Sequence, residues 1–222
     1  MAPESHDTAA RVAQMRRSYE QGGLAEEDLA PTWLEQFGRW LADAESAGLA
    51  EPNAMVLATA DPDGRPSART VLLKGVDERG LVLYTNLGSR KGREARATGH
   101  GAAVFPWIAL QRQVVVRGTL AEVDPTEADA YFASRPHGSR LGAVASPQGR
   151  VIPSRAVLDE ARAALEAQFP PGSDVPRPSG WGGLRLAPET VEFWQGRPDR
   201  LHDRLHFRLL GDADWVVERL AP

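Results

Sequence analysis

From residue 54 onward, the sequence consists of short apolar runs that are separated by tight turns. The first five runs lie at 54–60, 69–75, 81–86, 102–107 and 114–123. Two of the intervening segments, DPDG at 61–64 and DERG at 77–80, have the glycine-containing composition of hairpin loops. Parallel strands need crossover connections of about a dozen residues or more, so this close spacing predicts an antiparallel sheet or barrel.

A second group of apolar runs lies near the C-terminus, at 181–186, 190–195, 205–210 and 215–220. Helical patterns interrupt the strands at 89–98, 125–134 and 154–169, and a Pro- and Gly-rich connector covers 170–180. The last group of strands is too small to form a core of its own. The predicted fold class is therefore mainly β with peripheral helices, in a single domain at 51–222.

The first 50 residues are predicted to form a helical, partly mobile segment. One helix is expected from about residue 8 to residue 20, before a break at Gly22 and Gly23. For a second helix, Pro31 suits a first turn and Gly48 offers a C-terminal stop. Between them, apolar residues at helical spacing are expected to pack on the main body: Trp33, Phe37, Trp40 and Leu41.

Composition excludes several classes of protein. The 222-residue chain has no cysteine, which rules out disulfides, cysteine nucleophiles and thiolate metal sites. Its formal charge of −4 lacks the basic surplus of a non-specific nucleic-acid binder. It has neither an apolar run of membrane-spanning length nor a signal-peptide pattern at its start, so the expected location is the cytoplasm.

The segment around Ser89 is the most informative for function. Ser89 is predicted as the N-cap of a helix, which places Arg90 and Lys91 in the first turn, where the helix dipole disfavours cations. An anion would resolve that conflict, because free backbone N–H groups, a hydroxyl and two cations form a phosphate site. The alternative is that both side chains extend into water.

Three further cationic clusters are less specific. Arg69 shares a predicted strand face with apolar residues, which is costly without a partner anion, and Lys74 falls on the other face. In the third cluster, donors can converge from Tyr131, Arg135 and Ser139. In the fourth, an extended segment would place three groups on one face: Arg200, His202 and Arg204.

These clusters indicate a protein that binds one or two phosphorylated small molecules. The sequence contains neither a Walker pattern, nor a G-x-G-x-x-G fingerprint, nor a G-x-S-x-G elbow. His202 and His206 have a spacing seen in helical metal sites, but no third ligand stands at a recognisable distance, so no metal is predicted. The residues alone do not name a reaction.

In several long stretches, the sequence resembles the pyridoxine/pyridoxamine 5′-phosphate oxidases. The resemblance runs from about residue 53 to the C-terminus, in the order and spacing of that family. The matching stretches are RTVLLKGVDERGLVLYTNLGSRKGRE (69–94), FPWIALQRQVVVRG (105–118), YFASRPHGSRLGAVASPQ (131–148), WGGLRL (181–186), VEFWQGRPDRLHDRL (191–205) and ERLAP (218–222). It implies an FMN-binding split β-barrel and a homodimer, with FMN at the subunit interface.

The resemblance also implies roles for particular residues. Arg90 and Lys91 would hold the FMN phosphate. The other implied cofactor contacts are Arg69, Thr70, Val71, Leu72, Lys74, Tyr84, Thr85, Gln113, Gln148, Gly149, Trp194 and Arg204. The implied contacts to the substrate phosphate are Lys74, Tyr131, Arg135 and Ser139. Arg200 and His202, the implied catalytic residues, would lie over the pyridine ring.

The implied reaction is the oxidation of pyridoxine or pyridoxamine 5′-phosphate to pyridoxal 5′-phosphate, with O2 reduced to H2O2 and ammonia released from the amine. Two alternatives are a phenazine-biosynthesis-type flavin oxidase on the same fold and a non-catalytic flavin-binding protein. Three positions depart from the usual family pattern, because Gly149, Arg140 and Val144 stand where Ser, Gln and Trp are common. These departures affect the expected pocket size and leave both predicted phosphate sites intact.

Overall fold

The computed structural model describes residues 12, 18–20, 22–211 and 213–222 of the chain. The predicted helix at 8–20 lies largely outside these residues, and residues 18–20 are not helical. The described helices are α1 (Trp33–Ser46), α2 (Arg90–Thr98), α3 (Pro125–Ser134), α4 (His137–Ala145) and α5 (Ala156–Gln168). The strands are β1 (Ala54–Ala60), β2 (Pro66–Leu72), β3 (Gly75–Asp77), β4 (Gly80–Asn86), β5 (His100–Trp107), β6 (Arg112–Glu122), β7 (Trp181–Gln195), β8 (Asp203–Leu210) and β9 (Asp214–Arg219).

The nine strands within the described ranges form one antiparallel sheet, with the order β2-β1-β5-β6-β7-β4-β3. Along one edge, strand β7 pairs with two different strands. Its residues 181–186 pair with β4, and its residues 190–195 pair with β8. Strand β9 continues the sheet beyond β8. The sheet therefore branches along β7 and curls into a split barrel, which confirms the predicted fold class.

A β-bulge explains why β7 is one strand and not the two that the sequence predicted. The register between β6 and β7 shifts between Arg117 and Gly118. A Cβ atom on Gly118 would lie 1.9 Å from the carbonyl oxygen of Ala187, so only glycine allows this close approach. Pro188, which has no N–H to donate, stands opposite Gly118. A bulge bends a strand without ending it, and β7 therefore continues through this point.

Two other features of the fold differ from the prediction. The run at 69–75 is divided, because β2 ends at Leu72 and residues 75–77 form β3. The backbone N–H of Lys74 donates to the carbonyl oxygen of Val82 at 2.8 Å and leads the chain from β2 to the edge of β4. Helix α4 was not predicted, because Gly138 and Gly142 lower its helix propensity.

Helix α1 packs its aromatic stripe against the inner face of the sheet, as predicted. The ring centroids of Phe37 and Phe105 are 5.0 Å apart, and Phe37 is 1% exposed. The hydroxyl of Thr32 caps the helix, so the helix begins after Pro31 instead of including it. None of the helices in the described part of the chain is long and apolar enough to cross a membrane.

Candidate active site

A cavity of about 810 Å³ opens between β2, β4, the start of α2, and helices α3 and α4. It collects most of the predicted site residues, although they come from six separate segments of the chain. Those that line it are Arg69, Thr70, Val71, Leu72, Lys74, Tyr84, Thr85, Arg90, Lys91, Tyr131, Arg135, Ser139, Gln148 and Gly149. The fold therefore brings together the predicted cofactor-phosphate cluster and the predicted substrate-phosphate cluster.

Lys91 is a buried cation without a carboxylate partner among the described residues. It is 8% exposed, and its Nζ donates to Thr85 Oγ1 at 3.0 Å, to Ser89 Oγ at 3.2 Å and to Gln148 Oε1 at 3.3 Å. Burial, together with the positive charge of Arg69, lowers the pKa of Lys91. A buried charge that meets only neutral oxygens is costly, so this site is suited to a bound anion.

The start of helix α2 adds to the same anion site. Ser89 is the N-cap, as predicted, but its hydroxyl does not cap the helix and instead accepts a hydrogen bond from Lys91. The first turn contains no acidic residue. A Cβ atom on Gly92 would lie 2.2 Å from the carbonyl oxygen of Leu87, so glycine is needed for the helix to start this close to the preceding loop. The helix dipole and the first-turn N–H groups thus favour an anion here.

Arg69 meets a carboxylate of its own chain. Its Nη1 donates to Leu57 O at 3.1 Å and to Thr59 Oγ1 at 2.7 Å, its Nη2 donates to Ser67 Oγ, and Glu94 Oε2 lies 3.6 Å from Nη2. Burial lowers the pKa of Arg69, and the charge of Glu94 opposes this shift. Glu94 is not among the site residues predicted from the sequence, although its position four residues after Arg90 is a helical ion-pair spacing.

Glu94 is almost fully buried and charged. Burial raises its pKa, but hydrogen bonds from Ser67 and Thr59 and the charges of Arg69 and Arg90 outweigh burial, so the pKa lies below its usual value. This cluster contains three cations, Arg69, Arg90 and Lys91, and one carboxylate, Glu94. The resulting surplus of two positive charges matches a phosphate monoester, which carries about −1.5 to −2 charges at neutral pH.

A second cationic group lies in the same cavity. The guanidinium of Arg135 is 4.9 Å from the ring centroid of Trp181, and its buried Nη1 has no hydrogen-bond partner. Burial lowers the pKa of Arg135. Tyr131 stacks on Tyr84 with ring centroids 3.8 Å apart, and it is parallel to Trp181 at 6.3 Å. This aromatic stack holds an unpaired donor of Arg135 beside the cavity, where an oxyanion would satisfy it.

Lys74 and Ser139 complete this second group. Lys74 is exposed in the connection between β2 and β3, and Ser139 is exposed on α4. The hydroxyl of Tyr84, the ring on which Tyr131 stacks, donates a hydrogen bond to Glu127 Oε1 at 3.4 Å. Burial and the charge of Glu127 raise the pKa of Tyr84 to about 12, so this phenol stays protonated near neutral pH.

The remaining predicted residues do not line this cavity. Gln113, Trp194 and Arg204 stand side by side on β6, β7 and β8. The adjacent row consists of core residues that are 0% exposed: Val114, Phe193 and Leu205. Because neighbouring side chains in a strand point to opposite faces, the first row faces away from the core.

Arg204 is held by its own chain. Its Nε and Nη2 donate to the two carboxylate oxygens of Glu192 at 2.8 and 2.9 Å, and its Nη1 donates to the carbonyl oxygen of Ala221 at 2.9 Å. The hydrogen bonds that Arg204 donates to Glu192 raise the pKa of Arg204. Arg204 therefore needs no external anion to balance its charge, in contrast to Lys91.

Arg200 and His202 do not share the extended face with Arg204 that the sequence suggested. Residues 198–200 form a 3₁₀ turn in which Asp199 and Arg200 have φ angles of 54° and 64°, and β8 begins only at Asp203. Left-handed conformations cost about 1–3 kcal/mol at residues other than glycine and are concentrated at functional sites. The turn exposes Arg200 and brings the ring of His202 to 4.6 Å from that of Trp194.

The three unusual positions have different environments. Gly149 adopts a φ of 83°, and a Cβ atom there would lie 4.0 Å from the backbone nitrogen of Arg90, so its backbone lies beside the start of α2. Arg140 pairs with Asp174 at 3.1 Å. Val144 packs in the small apolar cluster that contains Trp181. None of these contacts removes a group from the two cationic clusters.

Fold and cavity together define a class of proteins, the FMN-binding split β-barrels. Residues 41–169 match the family model for "Pyridoxamine 5′-phosphate oxidase", and residues 181–222 match the model for "Pyridoxine 5′-phosphate oxidase C-terminal dimerisation region". The chain therefore belongs to the pyridoxamine 5′-phosphate oxidase family, which is a family of oxidoreductases with FMN as cofactor.

Individual relatives agree with this assignment. The chain is 59% identical to a pyridoxine/pyridoxamine 5′-phosphate oxidase of Frankia alni, over 95% of this chain and 88% of the relative. It is 56% identical to the enzyme of that name from Salinispora arenicola, over 95% and 96% of the two chains.

Among solved structures, PhzG from Burkholderia lata 383, in complex with tetrahydrophenazine-1-carboxylic acid, is 33% identical, with a TM-score of 0.85 over 93% of this chain and 100% of that chain. A pyridoxamine 5′-phosphate oxidase-related, FMN-binding protein from Nostoc punctiforme is 20% identical, with a TM-score of 0.69 over 88% of this chain and 100% of that chain, and it supports the fold alone.

Proposed function

We propose that this chain is a cytoplasmic, homodimeric oxidase that converts pyridoxine 5′-phosphate and pyridoxamine 5′-phosphate to pyridoxal 5′-phosphate. O2 is the terminal electron acceptor and becomes H2O2. The names of relatives that are 50–59% identical support the substrate class. The observation that carries the proposal is that one cavity presents two separate cationic groups, one around Lys91 and one around Arg135.

The residues of the first group fit the phosphate of FMN. Lys91 would donate to it from a buried position, while Arg90 and the first-turn N–H groups of α2 would surround it. Arg69, fixed by Glu94, would contribute charge from the wall of the cavity. The flavin, when bound, supplies the electron acceptor that O2 reoxidises.

The second group would hold the 5′-phosphate of the substrate. Arg135 has an unpartnered donor, and Tyr131, Ser139 and Lys74 line the same side of the cavity. Fixing this phosphate would orient the pyridine ring relative to the flavin, which lowers the entropic barrier to the reaction. The substrate loses two electrons and two protons, which O2 takes up as H2O2. The oxidised amine then takes up water and releases ammonia, which gives the aldehyde.

The outer-face residues would complete the site of a second subunit. Gln113, Trp194 and Arg204 face away from the core of their own chain, and the match of residues 181–222 to a dimerisation region supports their location at an interface. In this arrangement, Arg200 and His202 of one chain would lie over the cavity of the other. Dimers with twofold symmetry contain two such sites.

A subunit-mixing experiment tests the shared site. Lys91→Met damages the cavity of its own chain, whereas Arg200→Ala removes a residue that its chain would contribute to the cavity of the other. Each homodimer should therefore be weakly active at limiting FMN. After the two variants are unfolded together and refolded, half of the dimers are mixed and each has one intact site, so about a quarter of the wild-type activity should return. No recovery, although mixed dimers are isolated by two affinity tags, would contradict a site built from two chains.

The reaction itself is tested by an aerobic assay of the FMN-loaded protein with each substrate, in which pyridoxal 5′-phosphate and H2O2 are followed together. Equal amounts of both products are expected with at least one of the two substrates. A protein that binds FMN but forms neither product would refute the proposed reaction.

The second candidate is a flavin oxidase of the phenazine type, which the similarity to PhzG favours. Such an enzyme has no need for the substrate-phosphate group around Arg135, which is complete here. Replacing the vitamin substrates by tetrahydrophenazine-1-carboxylic acid in the same assay separates the two candidates, because only a phenazine-type oxidase should consume it rapidly.

A further inference from the structure

His202 is held by the turn that precedes it. The backbone N–H of Arg197 donates to His202 Nδ1 at 3.0 Å, across the 3₁₀ turn with the left-handed residues Asp199 and Arg200. The side chain of Arg197 is itself anchored, since its Nη1 donates to the carbonyl oxygen of Gly22 at 2.9 Å. The strained turn therefore brings a fixed backbone donor to one particular nitrogen of the imidazole.

Two aromatic rings fix the plane of His202. The centroid of the Trp194 ring lies 4.6 Å away with an interplanar angle of 49°, and that of Tyr19 lies 5.6 Å away with an angle of 64°. Rotation of the ring by half a turn would remove Nδ1 from the Arg197 N–H and leave this donor without its acceptor. Within the described part of the chain, no residue pairs with Nε2 of His202, which leaves this nitrogen for a ligand.

A nitrogen that accepts a hydrogen bond carries no proton, so the neutral ring of His202 carries its proton on Nε2. We infer that the backbone N–H of Arg197 fixes His202 as the Nε2–H tautomer. This inference rests on the proposed function and assigns a role to His202. His202 donates a hydrogen bond to an oxygen of the substrate, and it is not the base that takes a proton from the substrate. A histidine beside an alcohol or amine substrate is otherwise the usual candidate for that base.

Nuclear magnetic resonance of the FMN-loaded protein tests the tautomer without any measurement of activity. With ¹⁵N-labelled histidine, Nδ1 of His202 should have the resonance of an unprotonated, pyridine-like nitrogen, and Nε2 that of a protonated, pyrrole-like one. The chain contains five histidines, and the signals lost in His202→Asn identify those of His202. A proton on Nδ1, in a neutral or a charged ring, would overturn the inference.

His100 provides an internal reference of the opposite kind. Its Nδ1 lies 2.7 Å from the carbonyl oxygen of Thr98, which can only accept a hydrogen bond, so His100 should carry its proton on Nδ1. The two histidines are therefore expected to give opposite patterns in the same spectrum. Because the partner of His100 Nδ1 is a carbonyl oxygen, the pattern of His100 checks the assignment of the nitrogen resonances.

A pair of variants tests the role of the Nε2 donor. The side-chain amide of His202→Gln reaches the position of Nε2 and can donate there, whereas that of His202→Asn reaches only the position of Nδ1. Removal of one orienting donor from an active site costs about 10²–10³ in turnover. We therefore expect the Asn variant to lose this factor and the Gln variant to retain activity within about tenfold of wild type.

Equal losses in both variants would overturn the donor role, because neither amide can act as a base. His100→Gln is the matched control and should keep the wild-type rate, since His100 is exposed on β5. If the wild-type protein binds FMN but does not oxidise either substrate, the proposed function fails, while the NMR spectrum still decides the tautomer.

Discussion

The two groups of predicted site residues differ in how their charges are balanced. In the cavity, Lys91 meets only neutral oxygens and Arg135 keeps a buried donor unpaired. Outside the cavity, Arg204 is bound by both oxygens of Glu192, and Nδ1 of His202 accepts from a backbone N–H. The cavity is thus an incomplete electrostatic arrangement, whereas the charge of Arg204 and Nδ1 of His202 are already paired within one chain.

This difference indicates how the two groups act. Unbalanced buried cations are costly in the absence of a ligand, so they favour binding of an anion over the empty state. Side chains that are already paired lose less freedom when a ligand arrives, and they orient it instead of supplying most of the binding energy. Substitutions in the cavity should therefore change affinity first, and substitutions in the group outside it should change turnover first.

Arg200→Ala should have the largest effect on turnover. Arg200 is exposed and makes no ion pair with any described residue, so its loss should lower turnover by about 10²-fold or more without lowering the FMN content. Steady-state rates and the flavin absorbance of the purified protein measure the two quantities. Arg155→Ala, in a similarly exposed position immediately before α5, is the control. A parallel loss of FMN and turnover would place Arg200 with the cofactor.

Lys91→Met should have the largest effect on cofactor affinity. A hydrogen bond to a charged group contributes about 1.5–3 kcal/mol, so FMN binding should weaken by about 10- to 100-fold. Riboflavin, which has no phosphate, should bind both proteins equally well, and quenching of flavin fluorescence measures both ligands. Arg93→Met, two residues along the same helix on its exposed side, should bind FMN normally. Equal weakening for FMN and riboflavin would refute a phosphate contact.

The same substitution should stabilise the FMN-free protein. It removes a buried charge that has no carboxylate partner among the described residues, so the free energy of unfolding should rise by about 1 kcal/mol. Chemical denaturation of the FMN-free wild type and variant measures this difference. A lower stability of the variant would show that the hydrogen bonds of Lys91 outweigh the cost of burying its charge.

The sequence predicted local elements better than the division of the site. Patterns fixed the bounds of β1 and α3, because turn and capping residues border both. The continuation of β7 past Pro188 depends on the close approach of Gly118, which only the paired sheet reveals. Likewise, Gln113 and Arg204 lie in one row because of the register of three strands, β6, β7 and β8. No local pattern in the sequence indicates that this row is separate from the cavity.

Trp181→Phe should have a moderate effect on substrate affinity. Arg135 lies over the Trp181 ring, and a cation–π contact contributes about 0.5–2 kcal/mol, of which phenylalanine retains a part. We expect the KM for both phosphorylated substrates to rise by about 2- to 5-fold, with little change in kcat or in FMN affinity. Trp181→Leu should raise KM further. A fall in kcat at unchanged KM would contradict the assignment of Arg135 to the substrate phosphate.

The pH dependence of Lys91 gives the smallest and most specific effect. Its pKa is lowered in the folded, FMN-free protein, so between this value and the ordinary lysine pKa the unfolded chain binds more protons. The free energy of unfolding should therefore rise with pH through that window, and bound FMN should remove the rise by restoring the charged form. The chain has only two lysines, Lys74 and Lys91, so ¹³C-dimethylation yields two side-chain resonances, which can be titrated separately and distinguished from that of the α-amino group. If the Lys91 resonance titrates identically with and without FMN, no phosphate lies beside it, whatever the affinity measurements show.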